Sequence, residues 1–68
     1  MRFDIYGRHE LHVVREDSKW KVFTVDSGKR VPLNVVIPLE VQEHEIATYL
    51  DDLFHEGAKP GDIVRRID

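Results

Sequence analysis

The 68-residue chain has no cysteine, one methionine, three prolines and four glycines. Without cysteine it can form neither a disulfide nor a thiolate-held zinc site, the usual staples of a chain this short. Its glycines, Gly7, Gly28, Gly57 and Gly61, do not have the spacing of a phosphate-cradling loop. No apolar run approaches the roughly 20 residues of a membrane-spanning helix, so no membrane partner is expected. The opening Met1-Arg2-Phe3-Asp4 also lacks the apolar stretch of a signal peptide, and the expected location is the cytoplasm. The length fits one domain, residues 1–68, which buries only about 60% of the surface of its unfolded chain. Good packing or self-association must then support a thin core.

What is present is charge, and it is unevenly spread. Residues 1–38 hold seven Lys/Arg against five Asp/Glu, a balance of +2. Residues 39–58 hold six acids and no Lys or Arg, and residues 59–68 return to +1. The net −3 is therefore one acidic block set among mildly basic ones.

From Phe3 to Val13 the odd positions read Phe, Ile, Gly, His, Leu, Val and the even ones are mostly polar, the period of a half-buried strand. The phase does not slip at Gly7, which favours one long strand bent there over two short strands joined by a tight turn. Residues 15–19 form a polar turn, and Trp20 to Val25 is a second strand rich in aromatic and β-branched residues. Asp26-Ser27-Gly28-Lys29 is a turn in which Gly28 is free to take positive φ. Val31-Pro32-Leu33 and Val35-Val36-Ile37 read as edge-strand pieces.

Residues 42–56 read as the helix. Ile46, Tyr49, Leu50, Leu53 and Phe54 form its core-facing stripe. Gln42 at its N-cap would set Val41 and Ile46 as a hydrophobic staple, and Gly57 would end it in the left-handed conformation. Ile63 to Ile67 is a last short strand. The expected class is α+β: a small antiparallel sheet of three to four strands with one amphipathic helix on one face, in the order β-β-β-α-β.

The chemistry-bearing residues do not assemble into a catalytic motif. His9 and His12 are three apart, so on a strand they face opposite ways and cannot share an ion. On the helix, His44, Thr48, Asp51 and His55 project within about 60° of one another, but only Asp51 and His55 are one turn apart. Two ligands fall short of the three or four of a stable zinc site. Asp51 and Asp52 diverge by about 100° and make no carboxylate dyad. Ser18, Ser27, Thr24, Thr48, Tyr6 and Tyr49 occupy no nucleophile-elbow context. No enzymatic activity, cofactor or metal is expected.

Two surfaces remain. Glu43, His44, Asp51, Asp52, His55 and Glu56 would make a negative outer helix face, suited to a basic protein partner or a second copy in a homodimer. Arg8, Lys19, Lys21, Arg65 and Arg66, interleaved with Tyr6, Trp20 and Phe23, have the layout of a single-strand nucleic-acid platform. The small basic excess and a pI near 5.7 make nucleic acid the weaker partner.

Phe3-Asp4-Ile5-Tyr6-Gly7-Arg8, Val13-Val14-Arg15-Glu16, Trp20-Lys21-Val22-Phe23, Val36-Ile37-Pro38 and Ala47 to Glu56 together resemble a family of short bacterial proteins of unknown function. Tyr49-Leu50-Asp51-Asp52-Leu53-Phe54-His55-Glu56 is the most distinctive stretch. The resemblance implies no catalytic or binding residue. The element order is also similar to that of small antitoxin domains, without their Gly-containing strand-end signature. The expected function is thus a non-enzymatic interaction module or accessory subunit, with a nucleic-acid-associated or antitoxin-like regulator as the alternative.

Overall fold

Three hairpins build most of the molecule, and their turns fix which side chains meet. The computed structural model describes all 68 residues. Strands β1 (Arg2–Ile5), β2 (His9–Glu16), β3 (Lys19–Asp26) and β4 (Lys29–Pro32) are followed by a helical segment and then β5 (Val64–Arg66). The sheet order is β4-β3-β2-β1-β5, and every neighbouring pair is antiparallel. The class is α+β as expected, but with five strands rather than three or four, and the helix follows β4.

The extra strand comes from Gly7. The favoured single bent strand does not form; the chain reverses at Tyr6 and Gly7, whose φ values are 58° and 71°. The Arg8 N–H donates to Ile5 O at 3.0 Å, and Ile5 then pairs with His9. Two successive positive φ values match the right-handed twist of the flanking strands. Three residues separate Ile5 from His9, so both partners are odd-numbered, and antiparallel partners share a face. The alternation therefore passes through the reversal without a slip. An unbroken phase fits a three-residue loop as well as it fits one long strand.

The next two turns hold two residues each. Asp17 and Ser18 have φ of 53° and 59°, and Ser27 and Gly28 have 52° and 79°. Glu16 pairs with Lys19 and Asp26 with Lys29, so the inward set moves from odd positions on β2 to even ones on β3. Trp20 and Val22 accordingly join Leu11 and Val13, while Phe23 and Val25 face the other way.

Residues 33–38 are not strand, although Leu33 extends the ladder by donating its N–H to Val22 O at 2.9 Å. In an antiparallel ladder this sets the backbone of Pro32 outward, where its missing N–H costs nothing. Ile37 is buried and Val36 is 77% exposed, so the expected second edge piece is an extended segment crossing the core.

The helical segment runs as a 3-10 turn (Glu43–Glu45), helix α1 (Ile46–Phe54) and a closing 3-10 turn (His55–Gly57). The Glu45 carboxylate accepts the Gln42 N–H at 2.8 Å, half of a capping box. Val41 and Ile46 pack on the same core, as the staple requires. Gly57 does not take positive φ; the tight turn ends the helix and Gly61, at 89°, makes the reversal.

The core is nine residues: Phe3, Ile5, Tyr6, Leu11, Val13, Val22, Ile37, Ile46 and Leu50. Ile46 and Leu50, four apart and both at 0% exposure, are the centre of the helix's contribution. Each stabilises the fold by about 1.5–3 kcal/mol through burial. Leu53, expected in the core stripe, is 47% exposed because it lies on the helix flank beyond the sheet contact.

Candidate interaction surfaces

The helix covers one half of the sheet. The chain entering it is tied to β3 and β5: Trp20 Nε1 donates to Val41 O at 2.9 Å and Arg66 Nη1 donates to Glu43 Oε2 at 2.9 Å. Its last turns reach the first hairpin, where Tyr6 Oη donates to Asp51 Oδ1 at 2.6 Å. That hydrogen bond, with burial and the Asp51 charge, pushes the Tyr6 phenol up to about 12. Tyr6 reaches the core from an even position because its positive φ turns the side chain out of the strand alternation.

The six residues expected to form the acidic face do not act together. Asp51 accepts the Tyr6 hydroxyl and lines a depression with Thr48, Ile63 and Val64, apart from the cleft that His44 lines, and Glu43 is held by Arg66. His44 and Asp52 line a shallow cleft of about 430 Å³ with Val41, Glu45, Thr48 and Tyr49. His55 and Glu56 sit exposed in the closing turn. No group of three or more His, Asp or Glu is placed to hold a metal ion.

The five basic candidates are dispersed. Arg8 bonds Gly57 O at 2.9 Å and Asp62 Oδ2 at 3.1 Å, tying the first turn to the segment after the helix. The Lys59 N–H and Arg8 both bond Asp62 and hold its carboxyl below the usual range. Lys21 pairs with Glu16 at 3.0 Å, and Arg65 with Asp4 at 3.6 Å. Arg66 lies on the helix side, held by Glu43 and Asp68. Lys19, at the second turn, has no carboxylate partner.

The sheet face away from the helix is a lattice of matched charges. Glu10 Oε2 accepts from Arg2 Nε at 3.0 Å and lies 2.7 Å from His12 Nε2, and both contacts hold its carboxyl below the usual range. Arg30 stacks over Phe23 at 4.4 Å, engaging the aromatic that a base would need.

The surface that sequence reading missed is apolar. On the helix side, beyond Phe54, the sheet continues without cover. Ile5, His9, Leu11, Thr24, Leu33 and Phe54 line a groove of about 260 Å³. Val31, cross-strand from Thr24, is 42% exposed, and Leu53, beside Phe54, is 47% exposed. The Tyr49 hydroxyl bonds Val36 O at 3.2 Å, which places exposed Val36 along the same helix flank as Leu53. One signal was available: Val35-Val36-Ile37 puts three apolar residues in succession, and an extended chain cannot turn all three inward.

Fold and site together define a small α+β domain whose distinctive feature is an exposed surface rather than an enclosed cavity. The chain belongs to the family described as a domain of unknown function, DUF7661, whose model matches residues 1–68. No curated protein and no solved structure matches it. No helix is long and apolar enough to cross a membrane.

Proposed function

We propose that the chain is a non-enzymatic protein-interaction module, a bacterial cytoplasmic protein acting as an accessory subunit or by self-association. The observation that carries this reading is the apolar surface around Val31, Leu33, Val36, Leu53 and Phe54 on a domain with only nine buried residues. Apolar surface gathered beside charged residues marks a contact site more often than isolated exposed side chains do. Asp52 and Glu56, free of cation partners within the chain, supply the charged border that would set register on a partner. The nucleic-acid or antitoxin-like reading has less behind it, because four of its five cations are already engaged by carboxylates.

The test is affinity capture with the tagged chain and its Leu53→Lys variant, from lysate of the source organism supplemented with the untagged chain. The expected result is a specific protein, or the untagged chain itself, retained by the parent and lost with the variant. Nothing retained above the bead control, together with salt-sensitive binding of labelled single-stranded DNA, would turn the assignment to the alternative.

A further inference from the structure

The two edges of the sheet are not equivalent. At β4 the Leu33 N–H donates to Val22 O, so Arg30 and Pro32 turn their main chain outward, and Pro32 has no N–H to offer. At β5 the Tyr6 N–H donates to Ile63 O at 3.1 Å and the Ile67 N–H to Arg2 O at 2.9 Å. The odd residues of β5 therefore face β1, and the N–H and C=O groups of Val64 and Arg66 point out of the sheet. The helix does not close this edge. Between α1 and β5 lies an open depression of about 250 Å³, lined by Ala47, Thr48, Asp51, Ile63 and Val64, and Ile63 is 58% exposed. An edge with its donors intact is a template for another strand. We infer that β5 pairs antiparallel with β5 of a second copy, about a two-fold axis through Val64.

The residues of the strand select that occupant and its register. Asp62 and Arg66 have opposite charges and are equally spaced about Val64. A two-fold contact uses one patch twice, so an axis through Val64 sets each Asp62 opposite Arg66 of the other copy. The neighbouring registers are poorer. Moving the axis to Arg65 or Arg66 would put that arginine opposite its own copy, and like charges directly opposite are destabilising. Moving it to Ile63 would set Arg66 against Pro60, in the turn before the strand.

In the favoured register the two Val64 residues exchange main-chain hydrogen bonds at the axis, and one antiparallel sheet runs through both copies. The inference rests on the interaction reading above for self-association alone. It uses a different surface, and Val31, Leu33, Leu53 and Phe54 stay free in the dimer.

Sedimentation velocity of the full chain across micromolar concentrations, joined to cross-linking, tests this. The expected parent species is a dimer. N-methylation of the Arg66 main-chain nitrogen in the chemically synthesised chain removes one outward donor and no side chain, and should weaken the dimer at least tenfold. The parent has no cysteine, so Val64→Cys supplies the only thiol. Residues facing each other across such a pair have Cα atoms about 5.5 Å apart, within disulfide range. Val64→Cys should therefore cross-link under mild oxidation, and Arg65→Cys should not. Leu53→Lys should leave the dimer unchanged, with circular dichroism confirming the fold of each variant. A parent that sediments as a monomer throughout overturns the inference. So does a dimer indifferent to N-methylation, or one that cross-links through Arg65→Cys in place of Val64→Cys. A dimer lost with Leu53→Lys also overturns it, and returns the contact to the apolar surface of the interaction reading.

Discussion

The sheet has two halves built from the same ladder geometry and the same kind of turn, and they differ in what lies over them. Under the helix, Phe3, Ile5, Leu11 and Val13 alternate with half-exposed neighbours and are at most 3% exposed. At the far side all four residues of β4 are exposed, although the strand pairs in full register with β3. Backbone pairing and turn chemistry are therefore sufficient to shape a strand here, whereas burial depends on an element packed across it. Cooperative stability concentrates in the covered half, and β4 belongs to the low-stability end of the molecule.

The largest test of that contrast is a pair of truncations. Leu50→Ala should destabilise the fold by about 2–5 kcal/mol in urea denaturation. Val31→Ala on β4 should stay within about 0.5 kcal/mol. Similar costs for both would break the distinction between the halves.

Tyr6→Phe sharpens it at the boundary where helix meets hairpin, lowering Tm by a few degrees at neutral pH. The Tyr6 phenol titrates near 12 in the folded chain, above its ordinary value of about 10. Its stabilisation is thus complete below about pH 10 and lost as pH rises through about 12. Melting curves of parent and variant should converge across that alkaline window. Curves that stay parallel would mean that the Asp51 contact contributes nothing.

Turn chemistry serves both halves alike, so relieving it should help wherever it is strained. Ser18 holds φ of 59°, a conformation glycine adopts without the side-chain penalty. Ser18→Gly should stabilise by about 1 kcal/mol, read from the urea midpoint. The smallest effect belongs to the exposed carboxylates. Glu10, Asp62 and Asp68 are each held below their ordinary range by cations or backbone donors. Their support is present at neutral pH and disappears as pH falls below the usual carboxylate range. Salt should mute that loss, because the groups are solvent-accessible.

Local signals were the readable part of the sequence. Gly28 in its turn, the period of two along β2, and Ile46 with Leu50 on one helix face all follow from near neighbours. Gly7 misled because a three-residue loop preserves parity, and parity was the only observation bearing on it. Long-range placement was hidden. Nothing near Asp51 announces that Tyr6 will reach it, and five apolar residues on a helix do not say which two the sheet will cover. The surface suggested by charge alone, Glu43 to Glu56, separates for the same reason: Arg66 and Tyr6 come from distant strands.

The order of the strands also has a kinetic side. β1 to β4 are joined by loops of two or three residues, whereas β5 returns to β1 from the other end of the chain, with Val64 beside Ile5. Loop-closure entropy opposes that last pairing far more than any hairpin. The four-strand meander is the part able to nucleate, and helix and β5 dock onto it afterwards. Substitutions in the turns should therefore change the folding rate, and those between helix and β5 chiefly the unfolding rate. The half of the sheet with the least protection in the finished molecule is in this sense among the first to take shape.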